Sequence, residues 1–148
     1  TEHIGLSTGF LQPEPDTTLT IPATADGIVS VGAYQVSNDV AASFSGRGDT
    51  ADGRRAPTLV APGVDVVTAA PGGRYVARTG TSIASPFVAG AAALIMEWGI
   101  VQGNDPYLYG EKVKAYLMKG ARRLPGQESV PDKKAGWGAL CLAASLPK

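Results

Sequence analysis

Ser82 is the residue whose surroundings most suggest chemistry. It stands in Gly80-Thr81-Ser82-Ile83-Ala84-Ser85-Pro86-Phe87-Val88-Ala89-Gly90, and no charged residue occurs from Gly80 to Met96. A turn of glycine and hydroxyl residues there opens into an apolar run. Such a junction suits a reactive hydroxyl at a helix N-terminus, where free backbone N–H groups and the helix dipole favour developing negative charge. A serine becomes nucleophilic only when a base takes its proton and an acid orients that base. Bases are scarce here: the one histidine, His3, reads as a solvated bystander in a terminal loop. The one cysteine, Cys141, excludes an internal disulfide and reads as a buried structural thiol.

Local pattern supplies the elements that must position Ser82. A strand over Ile28–Tyr34 is expected from its β-branched run, with a short strand near Thr18–Ile21 before it and a brief extended piece over Ala42–Ser45 after it. The Gly46–Arg55 loop reads as solvated surface, including Asp49 and Asp52; its Arg47-Gly48-Asp49 adhesion triplet is short enough to arise by chance. Two strands over Thr58–Ala69 meet at Pro62-Gly63, and an alternating strand, Arg74–Arg78, delivers the chain to Gly80. Beyond the apolar helix, residues 99–106 read as a loop and Tyr109–Lys119 as an amphipathic helix ended by Gly120. Arg122-Arg123 reads as a solvated helix end, Gly136-Trp137-Gly138 as a tight junction, and Ala139–Leu146 as a closing helix.

Composition narrows the function classes. The chain has 148 residues, 44% hydrophobic and 18% charged, with zero net charge, which fits one folded domain without an internal boundary. Zero net charge gives no support to nucleic-acid or anionic-membrane binding. The Gly80–Met96 run falls short of the ~20 residues that span a bilayer, so a buried core helix is expected. The start, Thr1-Glu2-His3, shows no basic-plus-apolar leader.

The Gly80–Gly90 segment closely resembles the active-site serine motif of the subtilisin-like serine peptidases. Ile28–Ala33 is similar to that family's strand ending in Val-Gly-Ala, Ala42–Ser45 to its Ala-x-Phe-Ser piece, and Val60–Val64 to its Ala-Pro-Gly element. Trp137-Gly138 before an apolar run resembles its C-terminal Gly-aromatic-Gly signature. The stretch from Trp98-Gly99 to Tyr109-Gly110 is similar to clostridial members, germination-type proteases included. Phe87 departs from the histidine common at that motif position, which is structural. The resemblance implies an α/β fold, a mostly parallel sheet flanked by helices. It also implies that Ser82 is the nucleophile and that its own N–H is one oxyanion donor. Gly80 and Thr81 would shape the turn beside substrate, and Pro22 and Ala23 would line the floor of the first specificity pocket. Thr81 and Ser85 are further expected to serve as structural hydroxyls.

The family order is Asp, His, an oxyanion Asn, then Ser, in a domain about twice this length. No His-Gly-Thr motif occurs here, and no asparagine precedes Asn38. His3 lies outside any family motif. The resemblance therefore implies a partial domain: the C-terminal portion of a catalytic domain, inactive alone, with Asp, His and Asn supplied by an N-terminal segment. A polypeptide substrate and a secreted or cell-surface location follow from the family. Calcium is bound by many members, but no Asp-x-Asp-x-Asp cluster occurs, and no cofactor is expected. The open sheet edge invites an oligomer or swapped assembly. The alternative is a non-catalytic binding or scaffold piece on the same fold.

Overall fold

The computed structural model describes residues 12–147, so His3 lies outside them. Strands β1 (Val31–Gln35) and β3 (Leu59–Pro62) pair in parallel, from Val31 opposite Leu59 to Tyr34 opposite Pro62. β2 (Val40–Ala41) adds antiparallel to β1, only at Tyr34 and Gln35. Among the described residues, this leaves the Val31 end of β1 without a strand on that side. β4 (Val66–Ala70) and β5 (Arg74–Arg78) form a separate antiparallel hairpin. Helix α1 (Thr81–Met96) is followed by a π-helical turn, Glu97–Val101, then by α2 (Gly110–Gly120) and a short α3 (Leu142–Ser145).

Successive side chains of a strand point to opposite faces, so β3 divides the interior in two. Leu59 and Ala61 face α1 and α2 together with Ala33, Ala84, Val88, Ala91, Ile95 and Leu117. Val60 faces the other way, against Tyr34, Leu124, Ala135 and Ala139. Ala84, Val88, Ala91 and Ile95 recur at helical spacing and form the stripe that α1 lays on the sheet. This α/β arrangement, a parallel pair with helices against it, is the architecture expected from the sequence.

Several element boundaries differ from expectation, each for a visible reason. The strand expected from Ile28 begins at Val31, because Ser30 and Thr58 exchange side-chain bonds at its start: Thr58 N–H donates to Ser30 Oγ at 2.9 Å and Ser30 N–H to Thr58 Oγ1 at 3.1 Å. No strand forms at Thr18–Ile21; Thr18 N–H reaches the Arg47 carbonyl, and the following residues turn on themselves through Ala23 N–H to Thr20 O and Ala25 N–H to Pro22 O. The extended piece lies one step earlier than expected, at β2, and Ala42–Ser45 is a turn.

The closing helix is only α3. Ala139 and Leu140 instead run along β3, where Val60 N–H donates to Gly138 O at 2.9 Å and Leu140 N–H to Val60 O at 2.8 Å. That covers the far edge of β3. Cys141 is half-buried at the start of α3, not fully enclosed.

Gly120 was expected to stop α2 but is its last helical residue, and Ala121 caps it. Its reason is space: a Cβ there would lie 2.3 Å from Ser145 N and Oγ. Gly120→Ala is therefore expected to separate α2 from α3 and destabilise the chain by about 1–3 kcal/mol, read as a lowered urea midpoint.

α1 also exceeds its expected length. The π turn, Glu97–Val101, takes in Gly99–Val101 from the start of the expected loop, giving a continuous helical segment, Thr81–Val101, of 21 residues, long and apolar enough to cross a membrane by length and composition. One face of it packs on the sheet as a core helix does. Elsewhere around the helix Phe87, Leu94, Met96 and Val101 are exposed. Gly99 allows the π turn to meet Leu108, where a Cβ would lie 2.8 Å from its Cδ2.

Candidate active site

Ser82 sits in the first turn of α1, one residue past Thr81. Gly80 precedes the helix at φ 154°, ψ 159°, a conformation essentially restricted to glycine. Its carbonyl accepts the Ile83 and Ala84 N–H groups at 3.0 and 3.3 Å, starting the helix with no side-chain cap. The N–H groups of Thr81 and Ser82 precede the first intrahelical donors, so no carbonyl of α1 satisfies them. Farther on, Pro86 has no N–H to give the Ser82 carbonyl.

The helix start is fixed to the end of β3. Gly80 N–H donates to Gly63 O at 2.8 Å, and Gly63 N–H donates to Tyr34 O at 3.1 Å. A Cβ on Gly63 would lie 2.6 Å from Ala33 Cβ and 3.0 Å from Gly80 O, so only glycine permits this approach. Thr79 is held alongside: Asp65 N–H donates to Thr79 Oγ1 at 2.9 Å, and Asp65 carries φ 52°. Gly63 is visible in the sequence as part of a motif, but its positioning role is not, nor are those of Asp65 and Thr79. A glycine directly after a strand-ending proline was the available signal.

An open cleft of about 430 Å³ is lined by Pro22, Ala23, Ile28, Val31, Thr81 and Ser82, with Ser85 and Pro86 on the helix side. Residues almost sixty positions apart in sequence thus come together: Ser82 and Thr81 form one wall and Pro22 and Ala23 another. The Val31 end of β1, which among the described residues pairs only with β3, belongs to the same lining. Thr81 and Ser85 both line this cleft. The lining holds no histidine and no carboxylate among the described residues. Phe87 faces a separate shallow groove against Val66, Val67 and Thr68. No group of three or more His, Cys, Asp or Glu side chains gathers at ligating distance among the described residues.

Two loops read as plain surface carry specific contacts. Arg122 reaches across 83 positions to Asp39 with paired bonds of 2.7 and 3.1 Å, so it is not a free helix end. Arg47 donates to Pro15 O at 2.8 Å, Gly48 is buried and Asp49 pairs with Arg55, so the Arg-Gly-Asp triplet is built into the surface. The hydrogen bond from Arg122, more than its charge, holds the Asp39 carboxyl below its usual range, and Lys112 does the same to Asp105. Lowered folded pKa values stabilise the fold above the unfolded carboxylate pKa, and the benefit is lost as pH falls through the lower folded values. Melting temperature is therefore expected to stay level between about pH 5 and 8 and to drop only below about pH 4. A scanning-calorimetry series would show a mid-range slope if other groups governed stability.

Residues 8–138 match the family model described as the subtilase family. Serine protease AprX of Bacillus subtilis (strain 168) is 32% identical over 154 residues, covering 90% of this chain and 33% of AprX. Subtilisin E of the same organism is 45% identical over 92 residues, 60% of this chain and 22% of its own length. Among solved structures, the CspB protease of Clostridium perfringens superposes with a TM-score of 0.88 at 44% identity, over 93% of this chain and 29% of that one. That likeness agrees with the clostridial character of the region after α1. The chain spans a third or less of each of these three relatives. With a match running through β1, the Gly63 crossing and the whole of α1, the chain belongs to the subtilase family.

Proposed function

We propose that the chain is the C-terminal segment of a serine endopeptidase catalytic domain, with Ser82 as its nucleophile. The observation that carries this is Ser82 at the N-terminal turn of α1, in a cleft whose other wall is Pro22 and Ala23. A histidine from a preceding segment takes the Ser82 hydroxyl proton while Oγ bonds to the scissile carbonyl carbon. The resulting oxyanion is held by the Ser82 N–H and by an asparagine amide from that same segment. The C–N bond then breaks, the histidine passes its proton to the leaving amine, and water hydrolyses the acyl-enzyme. The chemistry uses protein groups alone.

The preceding segment is also the partner that the surface calls for. It covers the exposed apolar face of α1 and pairs with the free end of β1, which otherwise offers an edge for oligomers or swapped assemblies. Substrates are polypeptides, nucleic acid and membrane play no part, and the location is secreted or cell-surface. The 148-residue chain alone hydrolyses nothing at enzymatic rates. Mixing it with the N-terminal portion of a subtilase domain should generate peptidase activity absent from either piece, and a folded mixed complex without activity would refute the nucleophile role.

A second reading rests on the absence of any base from the cleft lining among the described residues: a non-catalytic scaffold on this fold. It predicts a stable folded particle that gains no activity from any complementing segment.

A further inference from the structure

The Gly46–Arg55 loop does more than cover surface. Arg54 extends from it to the stretch that carries Pro22 and Ala23. Its Nη2 donates to Thr24 O at 2.8 Å, and its Nη1 lies 3.4 Å from Asp26 Oδ1. Arg54 is itself held on both sides. Its Nε donates to Asp52 Oδ2 at 2.9 Å, and its backbone N–H donates to Thr50 Oγ1 at 3.0 Å. The Thr50 hydroxyl in turn donates to the Asp52 carboxylate.

Residues 20–27 otherwise bond only to themselves among the described residues: Ala23 to Thr20, Ala25 to Pro22, and Gly27 to the Asp26 side chain. Among the described residues, Arg54 makes all the hydrogen bonds that tie this stretch to the rest of the chain. Ile21 and Pro22 are exposed, so little packing does the same work. A loop with few buried contacts opens locally at low cost. A planar guanidinium with several donors in fixed directions can hold a carbonyl and two carboxylates at once, which an ammonium on a flexible stem cannot.

We propose that Arg54 is a positioning residue that clamps the Pro22–Ala23 wall at a fixed distance from Ser82 and so sets which substrate side chain the cleft accepts. The selectivity part rests on the proposed peptidase reading; the clamp does not. A loosened wall weakens the grip on large apolar side chains. It leaves the hydroxyl and the oxyanion donor of Ser82 untouched.

The test has two readouts. In the 148-residue chain, Arg54→Ala should speed amide hydrogen exchange at Ala23 and Ala25 about tenfold, the size expected for one lost charge-assisted bond. Arg54→Lys should restore only part of the protection. In the complemented domain, Arg54→Ala should raise KM about tenfold for peptides with a large apolar residue before the scissile bond, with kcat and small-residue substrates little changed. Unchanged exchange in Arg54→Ala overturns the clamp, whatever the activity. Faster exchange with unaltered substrate preference overturns the selectivity role and leaves the Ser82 reading standing. A wild-type complemented domain that a fluorophosphonate does not label overturns the Ser82 reading and the selectivity role with it, while exchange still decides the clamp.

Discussion

Ser82→Ala in the complemented domain is expected to reduce peptide hydrolysis by roughly 10⁶-fold, the loss known for the corresponding change in subtilisin itself. The size follows from the division of labour: without Oγ no acyl-enzyme forms, and what remains is binding and the oxyanion donors. Ser82 is exposed on the helix surface and contributes little to packing, so the variant should melt within about 0.5 kcal/mol of wild type. Circular dichroism melts measured beside the rates separate the two effects. A variant that loses activity and fold together would point to a structural role for Ser82.

Gly63→Ala carries the next largest expectation, and it acts at a distance from the chemistry. The added methyl would lie 2.6 Å from Ala33 Cβ and 3.0 Å from Gly80 O, with Ala84 Cβ at 3.3 Å. Neither β1 nor the start of α1 can yield without moving the turn that carries Ser82. Overpacking of this kind costs about 1–3 kcal/mol. Displacing a nucleophile by about 1 Å costs on the order of 10²-fold in rate. Both a lowered midpoint and a slower acylation of Ser82 are therefore expected. Gly90→Ala is the contrast: it lies on an open face of the same helix with nothing within 4 Å of the new methyl. In the 148-residue chain it should stabilise α1 by about 0.5–1 kcal/mol, since glycine is a poor helix former. If both alanines behaved alike, the close approach at Gly63 would not be what positions the helix.

What the sequence revealed is what physics encodes locally. A glycine turn, a hydroxyl and an uncharged apolar run announce a helix start within ten residues, and Ser82 was visible for that reason. The amphipathic pattern of α2 was legible in the same way. Pro22 and Ala23 were reachable only through resemblance, because their place beside Ser82 depends on β1 and α1 packing together, not on any spacing. The Arg122–Asp39 pair, the contacts of Arg54 with Thr24 and Asp26, and the meeting of Gly120 with Ser145 join residues 25 or more positions apart. Nothing in a single sequence marks such partners. Ala139–Leu146 failed differently: short apolar runs suit helix and strand alike, and the free edge of β3 took Ala139 and Leu140. At Thr18–Ile21, β propensity yielded where no neighbouring strand among the described residues was there to pair with.

On the proposed reading, Ser82 becomes a nucleophile when the remaining part of the domain supplies its base. The most direct measurement is mass-spectrometric mapping of a fluorophosphonate adduct on the chain, alone and after complementation with an N-terminal subtilase segment. No adduct is expected on the chain alone, and a single adduct, at Ser82, in the complemented domain. An adduct at another residue, or none in a complex shown to be folded, would contradict that reading.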